Sequence, residues 1–100
     1  MFSRKVKPYT KSDVEKNLKK LSEWKPNVKH TQIVKTYSFP NFVAALAFLA
    51  KVTVHAEVLE HHPEILLTYG EMKVTLYTKD AKGLTKKDFE LAGRIDGLSR

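Results

Sequence analysis

The chain has 100 residues, 42% of them hydrophobic, which is enough for one domain with one core and too apolar for a disordered chain. It has no cysteine, so a disulfide framework and a thiolate site are both excluded. Its formal charge of +7 comes from residues 1–50, and no nucleic-acid motif accompanies those lysines, so a solubilising surface is expected rather than a nucleic-acid interface.

Residues 1–11 read as a flexible N-terminal arm and residues 12–100 as the domain. Ser12 with Glu15 three residues on has the spacing of a capping box, and Val14, Leu18 and Leu21 follow at helical intervals. A short helix is expected over 12–21. Trp24 and Pro26 then suggest an edge strand, because proline has no N–H to give to a ladder. "QIVKTYSF" alternates as a strand, with Ile33, Tyr37 and Phe39 on one face and Lys35 interrupting it.

Pro40 and Asn41 open the longest helix, expected over 41–61, with Phe42, Ala45, Leu46, Leu49, Val52, Ala56 and Leu59 as its core stripe. "FVAALAFLA" is apolar on nearly every side, which points to burial on a second side, at a subunit interface. Pro63 is expected to end the helix, because the residue before a proline is pushed out of the α region. "EILLTY" and "MKVTLYT" read as a hairpin joined at Gly70–Glu71. A last helix runs over 85–98, started by Thr85 and Asp88, with Leu91, Ala92, Ile95 and Leu98 inward. The order is αββαββα, a rough doubling of ββα. It implies an α+β single domain with a four-stranded antiparallel sheet and helices on one face.

No apolar run is judged to reach the roughly 18 residues of a membrane span. The first residues also lack the apolar stretch of a secretory signal. A soluble cytoplasmic protein is therefore expected, a nuclear location being compatible as well.

"EVLEHHPE" holds two of the four histidines side by side, with Glu57, Glu60 and Glu64 around them. Glu57 and His61, four apart, would share a helix face. Imidazoles beside carboxylates can give and take protons near neutral pH, and a close pair can divide acid and base work. The bland alternative is a solvated helix end with polar residues. A metal on His55, Glu57, His61 and His62 is disfavoured, since there is no H-E-x-x-H and adjacent histidines chelate one ion poorly. His30 reads as a loop residue and His55 as a flank of the long helix. A glycine-rich phosphate loop, a G-x-S-x-G elbow and a cysteine nucleophile are all missing.

Glu57-x-x-x-His61-His62-Pro63, then Tyr69 six positions after the proline, then Asp88, resembles the signature of pterin-4a-carbinolamine dehydratases. "FPNFVAALAFLAKVTVHAE" is similar to that family's long helix, and "VTLYT…GLTKKDFELAGRID" to its last strand and helix. Trp24 stands where the family tends to have a tryptophan. The resemblance runs from about Ser12 to Leu98. It implies dehydration of 4a-hydroxytetrahydrobiopterin to quinonoid dihydrobiopterin, in recycling of the cofactor of aromatic amino-acid hydroxylases, with no metal or organic cofactor.

The resemblance also implies homodimers or homotetramers, built here through the 41–61 helix or the sheet edges, with a pterin as the small-molecule partner. His61 would protonate the leaving hydroxyl, His62 would take the ring proton and Glu57 would orient the pair. Glu60, Pro63, Tyr77, Thr78 and Asp80 would contact substrate. One departure is Lys79, where the family usually has a histidine or tryptophan; a lysine donates well and could steady the leaving oxygen, at a reduced rate. The alternative is a weak or inactive member of the same fold acting as an oligomeric interaction module or transcriptional cofactor.

Overall fold

The computed structural model describes residues 6–99. Residues 1–5 of the expected arm lie outside them. The next residues are fastened, since the Tyr9 N–H donates to the Leu84 carbonyl at 2.6 Å and its ring stacks on Phe89 at 5.8 Å. Helix α1 spans Lys11–Leu18, one residue earlier at its start and three shorter at its end than expected. Its cap is Thr10, whose hydroxyl accepts from the Asp13 N–H while the Asp13 carboxylate accepts from the Thr10 N–H. The Ser12–Glu15 pair has the same spacing but already lies inside the helix. Those two hydrogen bonds, the backbone one first, hold the Asp13 carboxyl below its ordinary pKa.

Four strands follow the expected order: β1 (Lys25–Pro26), β2 (Ile33–Ser38), β3 (Glu64–Leu67) and β4 (Glu71–Leu76). They form one antiparallel sheet in the order β1-β2-β4-β3, so the proline strand is an edge, as its missing N–H requires. The register sets Ile33 opposite Leu76, Lys35 opposite Val74 and Tyr37 opposite Met72, with Ile65 and Leu67 completing the row on β3. All of these lie on the face that packs against the helices. Their neighbours Thr36, Ser38, Lys73 and Leu66 are exposed on the other face. The hairpin turn is Thr68–Gly70, and Glu71 already belongs to β4.

Helix α2 spans Phe42–Leu59, capped by the Asn41 side chain on the Ala44 N–H at 2.8 Å. Its buried stripe is Ala45, Phe48, Val52 and Ala56, which faces the sheet and α3 (Lys86–Leu98). Phe42 and Leu46, expected inward, are 46% and 51% exposed, and Phe48 takes the core position. A helix apolar on every side carries no periodic signal to choose its buried row. The expectation about apolar runs also needs correction: by length and composition this helix could cross a membrane.

Pro63 does not end α2. The helix stops at Glu60, which turns left-handed at φ 51° and ψ 45°. The Glu60 N–H reaches the Glu57 carbonyl and the His61 N–H reaches the Ala56 carbonyl at 3.0 Å, the paired bonds of a Schellman turn. Glycine usually fills that place, since a side chain there costs about 1 kcal/mol. Glu60→Gly is expected to raise unfolding free energy by about 0.5–1 kcal/mol. Chemical denaturation checks this, and an unchanged midpoint would mean the turn is unstrained.

Candidate active site

The Schellman turn separates the two adjacent histidines. His61 is 8% exposed and points inward, whereas the His62 side chain is 65% exposed. His61 Nε2 lies 2.5 Å from Oδ1 of Asp88, which is completely buried. Oδ2 of Asp88 accepts from the Thr78 hydroxyl at 2.7 Å and from the Thr85 N–H at 2.9 Å. Thr78 gives its only proton to the carboxylate, so Thr85, 2.7 Å away, donates to Thr78. Asp88 also sits in the first turn of α3, where the helix dipole favours a negative charge.

A carboxylate already accepting two hydrogen bonds makes Nε2 of His61 the protonated nitrogen. The working atom is then Nδ1. It has no hydrogen-bond partner among the described residues, and no buried side-chain nitrogen or oxygen there lacks one, so Nδ1 reaches the surface. A carboxylate that holds one ring nitrogen and leaves the other to the reactant is the logic of a hydrolase His–Asp pair.

His62 forms a second such pair, with its Nε2 2.5 Å from Oε2 of Glu57, both side chains largely exposed. Glu57 was expected to share a helix face with His61 and to orient both imidazoles. The left-handed Glu60 breaks that spacing, so Glu57 reaches His62 and Asp88 takes over His61.

Both histidines line one cleft of about 590 Å³, together with Glu60. Its facing wall is Tyr77, Thr78, Lys79 and Asp80, the segment that leaves β4 and enters a short 3-10 turn at Lys79–Ala81. Thr85, Lys86 and Lys87 close the end formed by the start of α3. Pro63 and Glu57 do not line this cleft. They border an adjacent apolar groove of about 310 Å³ with Leu49, Val52 and Ile65, and His62 is the residue common to both cavities. Tyr69 stands on the hairpin turn, 72% exposed and outside the cleft.

Five cleft residues were not given a site role from the sequence: Val6, Glu64, Thr85, Lys86 and Lys87. Asp88 was noted in the signature without a role. Glu64 accepts from the Tyr77 hydroxyl at 3.0 Å, and that hydrogen bond, with the carboxylate's charge behind it, raises the Tyr77 pKa. Tyr77 thus stays a donor at neutral pH. His30 lies 3.4 Å from Glu15 and His55 lies 3.4 Å from Arg94, both away from the cleft. Among the described residues no three His, Asp or Glu side chains converge as a metal shell.

Residues 7–98 match the family model described as pterin 4 alpha carbinolamine dehydratase. A Rhizobium johnstonii protein, provisionally named pterin-4-alpha-carbinolamine dehydratase, is 43% identical over 92% of this chain and 91% of its own. An Acidobacterium capsulatum protein with the same provisional name is 40% identical over 89% of this chain and 95% of its own. Among solved structures, the transcriptional coactivator/pterin dehydratase from Brucella melitensis superposes with a TM-score of 0.89 at 29% identity, covering 93% of this chain and 99% of that one. A pterin dehydratase-like RuBisCO assembly factor of the alpha-carboxysome shares the fold, with a TM-score of 0.66 at 22% identity over 78% of this chain and 90% of that one.

Proposed function

Because the chain belongs to the pterin 4 alpha carbinolamine dehydratase family, we propose that it dehydrates 4a-hydroxytetrahydrobiopterin to quinonoid dihydrobiopterin. The observation that carries this reading is a cleft lined by two adjacent imidazoles, each tied through Nε2 to its own carboxylate. The reaction breaks the C4a–O bond without redox change. The departing hydroxyl needs one proton to leave as water, and a ring nitrogen must surrender one.

His61, held by buried Asp88, delivers its proton from Nδ1 to the hydroxyl. His62, steadied by Glu57, receives the ring proton, again at Nδ1. The two imidazoles end with exchanged protonation, and solvent at the exposed His62 restores the starting state. Tyr77, Thr78, Glu60 and Asp80 supply hydrogen bonds along the pterin edge. Pro63 acts on His62 through the backbone, by holding it extended. Lys79 places an ammonium near the departing oxygen. No metal or organic cofactor is assigned a part.

Stopped-flow dehydration of the 4a-hydroxy compound tests this. His61→Ala and His62→Ala are each expected to lower the catalysed rate by about 10²- to 10⁴-fold. Folded wild-type protein that gives no acceleration over buffer overturns the reading. In the same assay Lys79→His is expected to raise turnover, and an unchanged rate would show that Lys79 does not limit it.

A second reading, an oligomeric interaction module on the same fold, is favoured by the outer face of α2. Val43, Leu46, Val54 and Val58 are 76%, 51%, 61% and 63% exposed along one helix. Such a face is covered when copies associate as dimers or tetramers. Val54→Glu is expected to shift the sedimentation coefficient to that of a single chain. An unchanged value would move the interface to the sheet edges.

A further inference from the structure

A second cavity, of about 390 Å³, shares no lining residue with the catalytic cleft. It opens where the end of α1, strand β2 and the last turn of α3 meet, and it is bordered by Lys19, Lys20, Ser22, Lys35, Asp96 and Ser99. Its inner wall is a polar cluster the dehydration does not use. Asp96 accepts from Trp24 Nε1 at 3.1 Å, from the Tyr37 hydroxyl at 2.5 Å and from Lys35 Nζ at 2.8 Å. That carboxylate has its partners from the protein itself.

The cations are less fully matched. Lys35 Nζ, only 11% exposed as a side chain, gives a second hydrogen bond to the Ser22 carbonyl at 2.8 Å. An ammonium has three donors, so one N–H of Lys35 remains without an oxygen or nitrogen acceptor among the described residues, although the Tyr37 ring centroid lies 4.8 Å from Nζ. Lys19 and Lys20 form no ion pair among the described residues. The lining therefore sums to a positive charge, with one of its three ammoniums nearly buried. Lysines just past a helix end are ordinarily placed to meet its carbonyls. That accounts for Lys19 and Lys20 but not for an inward third ammonium facing the same cavity.

We propose that this cavity binds the phosphate group of a small molecule. Three ammoniums around one space suit an anion with three acceptor oxygens better than a two-oxygen carboxylate. The site is independent of the proposed catalysis.

The test uses the full chain and its single tryptophan, Trp24, whose indole donates to the cavity's own Asp96. Pyrophosphate is titrated at constant ionic strength, with acetate and chloride as the comparison anions. A saturable change in Trp24 fluorescence is expected for pyrophosphate and not for the others. The double variant Lys19→Glu/Lys20→Glu is expected to weaken it at least about tenfold, with dehydration rate and thermal midpoint kept. Lys35→Met would strand Asp96, so the surface pair carries the test. Equal responses to all three anions, no saturation, or undiminished binding by the double variant would each overturn the proposal. None of these results bears on the dehydratase reading, which rests on the separate rate assay.

Discussion

Asp88→Asn is expected to lower kcat for dehydration by about 10²- to 10⁴-fold while KM changes by no more than a few-fold. The carboxylate touches no substrate in this arrangement. It holds Nε2 of His61 at 2.5 Å, keeps that nitrogen protonated and leaves Nδ1 to the reactant. An amide in its place can turn its NH2 toward the ring. Nε2 would then accept, the ring would hold one proton instead of two, and a neutral imidazole is a far poorer proton donor to the departing hydroxyl than an imidazolium. Asparagine fills nearly the same volume, so the fully buried site stays packed.

The same change removes a charge from the first turn of α3 and weakens the bond to the Thr85 N–H, for a stability loss of about 1 kcal/mol. A modest fall in unfolding free energy together with a large fall in kcat is the expected pair of results. If kcat falls less than about threefold while stability falls as stated, Asp88 serves the helix and not the imidazole.

The elements were readable from sequence where the signal is local. Thr85 and Asp88 mark the start of α3 because a cap acts across one turn, and alternation in β2 and β4 reports a sheet with one covered face. The histidine pair was readable as a motif, and its cleft partners Tyr77 to Asp80 followed from the resemblance. What holds His61 was not. Asp88 lies 27 residues away and had already been explained as a helix start, so no periodicity joined it to the imidazole. The stop of α2 was misplaced because Pro63 is a visible breaker, while a left-handed Glu60 leaves no mark that a glycine would have left. Glu57, expected to orient both imidazoles, reaches only His62 for that same reason. Lys35 looked like an interruption in the apolar face of β2; its partner Asp96 is 61 residues distant.

That last pair carries the largest expected effect on stability. Asp96→Ala leaves three donors without their acceptor: the Lys35 ammonium, the Trp24 indole N–H and the Tyr37 hydroxyl. Burial, the largest cause of the raised Tyr37 pKa, persists without Asp96, so the phenol keeps its proton and the loss is not relieved. Removing one partner of a buried ion pair costs about 3–5 kcal/mol, a large share of the about 5–15 kcal/mol that holds a domain together. In a chain of this length a fall of more than about 10 °C in Tm is expected.

Removing both charges should be milder than the sum of the single changes. Lys35→Met/Asp96→Leu strands no ammonium, although Trp24 and Tyr37 still lose their acceptor. Urea unfolding of Lys35→Met, Asp96→Leu and the double closes that cycle. A cost below about 1 kcal/mol for Asp96→Ala would mean that water entering from the neighbouring cavity already satisfies these donors. The anion proposed for that cavity would then meet a solvated ammonium rather than a partly desolvated one.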